Sequence, residues 1–250
     1  MCTVSWLHQK GSYLLLCNRD ERHTRKPASA PQLGRLRGVS FIAPVDGDHG
    51  GSWIGVNQFG LTLCLLNSYR VANSTADRVY TSRGLLLRDL LDCQNIQQII
   101  ERVSSMKLEP FQPFIMSVLL VDKPVVLIEW TGREYKIDLD GEAQMPLTSS
   151  SLKDPNVVQL RRKLLGDMVA KHGDVDAALL QRFDRSHLPE RGPLSVCMHR
   201  HDASTVSLSV VIVTAETVEF SYHSNCPCVP APAAKVLVGR TSISLQAAST

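Results

Sequence analysis

The residue best suited to chemistry is Cys2, which directly follows the initiator methionine. Cysteine is small enough for the processing peptidase to remove Met1, and we predict that Cys2 becomes the mature N-terminus. A terminal cysteine carries a strongly nucleophilic thiolate and an α-amine, with a reference pKa of ~7.7–8, that can move the proton. Nucleophile and base would then share one residue. The alternative is that Cys2 is an ordinary residue of a strand.

A dense polar cluster, residues 18–22, follows the apolar run at residues 13–17. The spacing of two apolar runs around a short turn predicts a hairpin, and the end of its second strand lies beside the start of the first. The cluster is therefore expected near Cys2. There Asp20 can hold an α-ammonium, and Arg19 can lower a thiol pKa or bind an anionic substrate. The alternative is a solvated charged turn.

The remaining elements must position these groups. The predicted order is strands at 2–8, 13–17, 53–57 and 61–67, two short helices after residue 81, strands at 114–121, 124–130 and 135–138, helices at 156–171 and 174–183, and strands at 194–198, 206–213 and 218–223. Sequential hairpins alternating with helix pairs favour an α+β fold with antiparallel sheets over a parallel one. Two sheets between helix layers would hold all the strands in one domain, residues 1–250.

Composition narrows the partners and the compartment. Subtracting 24 acidic from 27 basic residues leaves +3, spread along the chain, so neither nucleic acid nor an anionic membrane is expected as a partner. The apolar runs are too short for an integral membrane segment. Seven cysteines are an odd number, and no leader pattern is evident, so a reducing, cytoplasmic location is expected.

A metal site and a resident cofactor are both predicted to be absent. The donors considered are those of residues 199–202 together with Cys226 and Cys228, but the chain has no CxxC pair, and Arg200 would repel a cation. Arg200 is instead expected to face an anionic substrate, the alternative being a solvated loop. Cys197 is expected to be an inert core residue. Trp53 either walls a pocket or, as we favour, fills the core.

Several motifs occur together in a recognisable order. They are Met1-Cys2-Thr3, Asn18-Arg19-Asp20-Glu21, Gly50-Gly51-Ser52-Trp53-Ile54-Gly55-Val56-Asn57, Gly60 and Leu66-Asn67. With these motifs the sequence resembles the NRDE family, also called the transport and Golgi organisation protein 2 family. The resemblance is strong from residue 1 to residue 67 and holds only in outline further on.

The resemblance implies a fold and a set of roles. The family is placed with the N-terminal nucleophile (Ntn) hydrolases, near the choloylglycine hydrolases and penicillin acylases, which have a four-layer αββα sandwich. Cys2 would be the nucleophile, Arg19 and Asp20 would orient or activate it, and Asn67 would donate to an oxyanion.

Four further residues are assigned to substrate binding: Asn18, Glu21, Ser149 and Arg200. Ser149 stands where many family members show an asparagine. Either its hydroxyl serves as an oxyanion donor or the hole lacks one, and such a loss costs roughly 10²–10³ in rate.

Two functions follow from different classes. The first is an N-terminal cysteine hydrolase that cleaves a non-peptide C–N bond of a small-molecule amide or acyl substrate through a thioester. The second is a non-catalytic protein that binds or traffics lipid, acyl-CoA or haem, as the family's links to lipid and haem handling imply. The serine at position 149 favours the second function.

Overall fold

The computed structural model of the chain describes residues 2–70, 79–152 and 156–241. Met1 lies outside these ranges, and its removal stays a prediction. The elements are, in chain order, strands β1 (Cys2–Gln9), β2 (Ser12–Arg22), β3 (Gln32–Leu36), β4 (Val39–Ala43), β5 (Ile54–Asn57) and β6 (Thr62–Asn67), helices α1 (Arg83–Asp89) and α2 (Ile96–Ser105), strands β7 (Phe114–Leu119), β8 (Val126–Trp130), β9 (Tyr135–Asp138) and β10 (Leu147–Ser149), helices α3 (Asn156–His172) and α4 (Ala177–Asp184), and strands β11 (Ala203–Val213), β12 (Thr217–His223) and β13 (Ala234–Gly239).

The strands form two antiparallel sheets. One has six strands in the order β10-β1-β2-β11-β12-β13, and the other has seven strands in chain order from β3 to β9. The β1–β2 hairpin is central to the first sheet, because β10 pairs with its outer edge and β11 with its inner edge. This places the start of β1 between two neighbouring strands.

Alternation along the strands divides the core into three layers. On one face of the hairpin, Trp6 and Leu15 pack between the two sheets, where they meet Val56. On the opposite face, Leu16 packs against Phe183 of α4. A third apolar layer lies between the second sheet and helices α1 and α2. The α+β class and the αββα arrangement predicted from the sequence are therefore confirmed.

Some local predictions differ from the structure. Strand β2 continues through residues 18–22, because β11 pairs with it as far as Arg22, so the polar cluster belongs to a strand rather than to a turn. The predicted strand at 194–198 is wrong, since this segment is irregular. Strands β3, β10 and β13, which edge the two sheets, and β4, which pairs with β3, were missed.

None of the helices in the described ranges is long and apolar enough to span a membrane.

Candidate active site

A cavity of about 520 Å³ opens beside the start of β1. It is bordered by six of the eight residues predicted from the sequence, namely Cys2, Arg19, Asp20, Glu21, Asn67 and Arg200. Strands β1 and β2 of the first sheet and β6 of the second sheet supply most of them, so the site lies where the two sheets meet. The sandwich therefore brings together residues up to 198 positions apart, from 2 to 200.

Cys2 is fixed by strand register on both sides. It lies opposite Arg19 on β2 and opposite Ser149 on β10. Residues directly opposite in an antiparallel pair point to the same face of a sheet. Burial raises the pKa of the Cys2 thiol to about 12, although the main-chain N–H of Asp20 donates a hydrogen bond that opposes the rise. The thiol is therefore neutral near pH 7 and needs a base to become a nucleophile.

Arg19 is a buried cation with two neighbours that hold it in place. Its Nη2 donates to Oδ2 of Asp46 at 2.6 Å, and its guanidinium carbon lies 4.2 Å from the ring centroid of Trp53. Both contacts fix the orientation of the guanidinium. Trp53 therefore also walls the cavity, where the sequence favoured a purely core role.

Asp46 orients this arginine because its own carboxylate is tightly held. Its Oδ1 accepts hydrogen bonds from the main-chain N–H groups of Asp48 and His49, and Arg25 donates to both oxygens. Burial opposes ionisation of Asp46, but the hydrogen bonds from Arg25 and His49 outweigh it and lower the pKa of the carboxyl. The sequence presented Asp46 only as part of a turn, so its role was missed.

Asp20 points away from Arg19, as successive residues of a strand do. Its Oδ1 accepts a hydrogen bond from Thr205 at 2.6 Å, and its Oδ2 lies 3.9 Å from Nη1 of Arg161. Burial raises the pKa of the Asp20 carboxyl, although the Arg161 charge opposes the rise. Asp20 is thus held between β11 and α3 at the edge of the cavity.

Arg161 is a buried residue beside Asp20 that the sequence did not single out. It is 1% exposed, donates hydrogen bonds to the hydroxyl of Thr3 and to the carbonyl of Ser195, and so ties α3 to β1. A signal was present, since Arg161 lies four residues after Val157 and four before Leu165, on the buried stripe of α3.

The other predicted cavity residues have polar partners. The amide of Asn67 donates to the hydroxyl of Tyr69 at 3.1 Å, and Oε2 of Glu21 lies 3.5 Å from Nη2 of Arg19. Arg200 donates to both carboxylate oxygens of Asp202, at 2.8 and 2.6 Å. These three side chains border the cavity, and their hydrogen bonds described above go to residues other than Cys2.

Asn18 and Ser149 are not brought to the cavity. The Asn18 amide faces the helix layer, where it donates to the carbonyls of Asp184 at 2.8 Å and Val196 at 3.3 Å. Ser149 lies beside Cys2 in the sheet, but its hydroxyl is buried and has no hydrogen-bond partner among the residues described. Asn18 therefore contacts the helix layer, and the Ser149 hydroxyl lies beside Cys2 without bordering the cavity.

A group of side chains with donor atoms suited to a metal lies outside this cavity. Within the ranges that the structure describes, the group with suitable donor atoms contains His187, Cys197, His199 and Cys228. Cys226 contacts both Cys197 and Cys228, and we call these five residues the cysteine–histidine cluster. The predicted obstacle is absent, because the Arg200 guanidinium turns to Asp202 and the cavity.

The sequence matches a known protein family. The family model described as "Transport and Golgi organisation 2" matches residues 1–226. The chain belongs to this family. The match covers all eight site residues predicted from the sequence. It also covers four of the five members of the cysteine–histidine cluster and ends before Cys228. No curated protein sequence matches the chain.

Solved structures with the same fold are enzymes of the Ntn-hydrolase superfamily. An N-acylethanolamine-hydrolyzing acid amidase ortholog from Caenorhabditis elegans aligns with a TM-score of 0.57 at 15% identity, over 92% of this chain and 94% of that one. Penicillin V acylase from Agrobacterium tumefaciens gives 0.53 at 10% identity, over 90% and 83%. A mutant conjugated bile acid hydrolase from Clostridium perfringens gives 0.52 at 11% identity, over the full length of both chains. At these identities the likeness establishes the fold.

Proposed function

We propose that this member of the Transport and Golgi organisation 2 family is an N-terminal cysteine hydrolase that cleaves a non-peptide amide bond. The observation that carries the proposal is the position of Cys2, whose register with Arg19 places its thiol at a polar cavity between the sheets. The three enzymes of similar fold are named for penicillin V, conjugated bile acids and N-acylethanolamines. An amide of a small acyl group is therefore the substrate class that we propose.

The first half of the reaction forms a thioester. Once Met1 is removed, the α-amine of Cys2 accepts the thiol proton, and the sulfur attacks the carbonyl carbon of the amide. The carbonyl oxygen gains the negative charge, and we propose that Asn67, which ends β6 at the cavity, donates an amide N–H to it. The C–N bond then breaks, and the α-ammonium gives its proton to the leaving amine.

The second half returns the enzyme to its starting state. The α-amine, again neutral, takes a proton from water as its oxygen attacks the thioester carbon. The C–S bond breaks, the sulfur recovers the proton, and the carboxylic acid leaves. Arg19 would keep its position throughout, since Asp46 and Trp53 hold its guanidinium. Its positive charge favours an anionic substrate or the thiolate form of Cys2.

Intact mass and turnover test the proposal together. We expect purified protein to lack Met1, and we expect Cys2→Ala to lower turnover of acyl amides roughly 10³-fold or more. The panel varies the acyl length and uses neutral and anionic amine halves. Cys93→Ala is the matched control, because Cys93 is buried on the far side of the second sheet and should leave turnover unchanged. Retained Met1 together with equal turnover in both variants would refute the mechanism.

The placement of Ser149 favours a second candidate, a non-catalytic protein that binds acyl-CoA, another lipid or haem. With the Ser149 hydroxyl outside the cavity lining, an oxyanion formed there has one donor fewer. Titration with acyl-CoA or haem, followed by thermal shift or absorbance, separates the two functions. Binding that survives Cys2→Ala, with no product from any amide, supports the carrier.

We also propose a reducing, cytoplasmic location for the chain. All seven cysteines are free, which supports a compartment that keeps thiols reduced. Protease protection of the tagged chain in permeabilised cells tests this location.

A further inference from the structure

The cysteine–histidine cluster joins two segments that are distant in sequence. His187, Cys197 and His199 lie between α4 and β11, whereas Cys226 and Cys228 lie between β12 and β13. The Cys226 sulfur is 3.2 Å from the Cys197 sulfur and 3.2 Å from the Cys228 sulfur. Five side chains with soft donor atoms therefore converge at a place that the proposed amide chemistry does not use.

One imidazole nitrogen faces all three sulfurs. Nε2 of His199 lies 3.6 Å from the Cys197 sulfur, 3.6 Å from the Cys226 sulfur and 3.7 Å from the Cys228 sulfur. The other ring nitrogen, Nδ1, faces Arg191 at 3.5 Å, outside the group of sulfurs. His199 is therefore oriented with one nitrogen toward the centre of the cluster.

These distances match the edges of a metal tetrahedron. With Zn–S bonds of about 2.3 Å and Zn–N bonds of about 2.0–2.1 Å, tetrahedral angles give N···S edges of about 3.6 Å and S···S edges of about 3.8 Å. The three observed N···S distances agree with these edges. The two S···S contacts of 3.2 Å require each sulfur pair to move apart by about 0.6 Å.

We propose that Cys197, His199, Cys226 and Cys228 bind one Zn²⁺ ion. Three thiolates and one imidazole form a closed donor set of the kind that structural zinc sites use, and soft sulfur ligands favour Zn²⁺ over Mg²⁺ or Ca²⁺. Cys197 and Cys226 are buried, which shields such a site from water. Zinc binding is independent of the proposed hydrolase function.

His187 is the competitor for the fourth ligand position. Its Nε2 lies 3.2 Å from Nε2 of His199, and its donor atom lies within 4.8 Å of those of Cys197 and Cys228. We assign the position to Cys226 because its sulfur lies within 3.6 Å of three other donor atoms and is held in the protein interior. His187 then packs against His199, with ring centroids 5.0 Å apart.

A disulfide is the alternative use of these sulfurs. Cys226 is equally close to Cys197 and to Cys228, so either bond would leave the third thiol unpaired beside two histidines. Both S···S contacts exceed the disulfide bond length of about 2.05 Å. A single ion satisfies all three sulfurs at once, whereas a single disulfide does not.

The zinc site would support one wall of the cavity beside Cys2. Met198 and Arg200 flank His199, and both border that cavity. Arg161 holds the same segment from the other side through the carbonyls of Leu194 and Ser195. The ion would thus fix the segment that carries Arg200 to the segment that follows β12.

Metal titration of the full chain tests the proposal. The reduced, chelator-treated protein is titrated with Co²⁺ and then with Zn²⁺. We expect about one Co²⁺ per chain, with the intense bands of tetrahedral cobalt–thiolate coordination, and displacement of Co²⁺ by Zn²⁺. Absence of cobalt–thiolate bands in the reduced wild-type chain would overturn the proposal. So would a stable disulfide within the cluster that persists in a reducing cytoplasm.

Variants then test the ligand assignment. We expect Cys226→Ser, Cys228→Ser and His199→Ala to weaken Zn²⁺ binding by more than the roughly 10–100-fold that loss of an outer-shell contact costs. Cys93→Ala should leave Zn²⁺ affinity unchanged, because Cys93 lies in the core beside α1 and α2, and His187→Ala should stay within that range. Loss of binding in His187→Ala with binding retained in Cys226→Ser would overturn the assignment. Circular dichroism of each variant identifies any that fails to fold, and the wild-type titration decides independently of them.

Discussion

The Cys2 cavity and the cysteine–histidine cluster both depend on sulfur, but the chain positions them by different means. Cys2 is held by strand register, with Arg19 on one side and Ser149 on the other. The cluster is held by irregular segments, which approach one another because β11 and β12 pair next to the hairpin. The strand-held site presents one thiol at a cavity, and the loop-held site gathers three thiols with two histidines.

This difference has a physical consequence for what each site can do. The hydrogen bonds of a sheet hold the side chains of a strand in well-defined positions. This suits a nucleophile, which must approach a carbonyl carbon in one geometry. Ordering a loop costs conformational entropy, and the binding free energy of a metal ion can offset that cost. The first site therefore suits catalysis, and the second suits a structural ion.

The largest expected effect comes from the residue that contacts both regions. Arg161 reaches Thr3 of β1 and the carbonyls of Leu194 and Ser195 in the segment before the cluster. We expect Arg161→Leu to lower the free energy of unfolding by about 3–5 kcal/mol, because it removes the charge beside the buried Asp20 and orphans buried carbonyls. Urea unfolding measures this loss.

The neighbouring arginine is the matched control for that experiment. Arg162 is partly buried and donates to the carbonyl and side chain of Gln144. We expect Arg162→Leu to cost about 1 kcal/mol or less. Equal losses in the two variants would show that Arg161 does not link the two regions.

A smaller effect, visible in the pH profile, is expected at Asp184. Burial raises the pKa of its carboxyl to about 8, and one of its oxygens has no hydrogen-bond partner among the described residues. The folded chain keeps this proton up to about pH 8, whereas the unfolded chain releases it near pH ~4. The unfolded state therefore binds fewer protons between these values, and the free energy of unfolding falls as pH rises through that window.

Asp184→Asn should flatten this profile, because an amide does not ionise. At pH 8.5 we expect the variant to be more stable than the wild type by on the order of a few kcal/mol, with the two closer at pH 5. Unfolding curves at both pH values measure the difference. Because Asp184 lies behind the strand-held site, Zn²⁺ should leave the slope unchanged, and a zinc-dependent slope would contradict the separation of the two regions.

The smallest effect is expected at Asp46, which belongs to the Cys2 cavity alone. Asp46→Asn replaces the carboxylate that accepts from Arg19 and Arg25 with a neutral amide. We expect a loss of about 1–2 kcal/mol in unfolding free energy, since charge-assisted hydrogen bonds become neutral ones. Turnover should fall as Arg19 loses its orientation, and Zn²⁺ affinity should stay at the wild-type value. A parallel fall in Zn²⁺ affinity would argue that the regions are coupled.

The sequence predicts the strand-held site well for the same reason that the site is precise. Period-two alternation and a short turn place residues 18–22 beside Cys2, and the helix periodicity after residue 81 and at residues 156–171 predicts the outer layers. The motifs then add Asn67, which lies far from Cys2 in sequence but at the same cavity. Because successive side chains of a strand point to opposite faces of the sheet, Asn18 points toward α4 while its neighbour Arg19 points toward the cavity.

The sequence suggests His199, Cys226 and Cys228 as one possible donor set, which we predicted not to bind a metal, but it does not predict that His187 and Cys197 join them. From the sequence we predict that Cys197 is an inert core residue and that Arg200 repels a cation. In the structure the Cys197 sulfur lies 3.2 Å from the Cys226 sulfur, and Arg200 turns to Asp202. The two segments meet because β11 and β12 form a hairpin, so the loop before β11 lies beside the loop after β12. Strands β3, β10 and β13 were missed because short edge strands have few pairing partners and follow proline-bearing segments, and β4 was missed together with its partner β3.

The width of the cavity is set by bare backbone at one point. Gly51 and Gly84 both border it, and a Cβ atom on Gly51 would stand 2.5 Å from the carbonyl carbon of Gly84. The N–H of Ser52 donates to the carbonyl of Gly84 at 3.0 Å, which holds α1 against the loop. A methyl group added at Gly51 would therefore clash with the backbone of α1, and the loop and the helix would have to move apart.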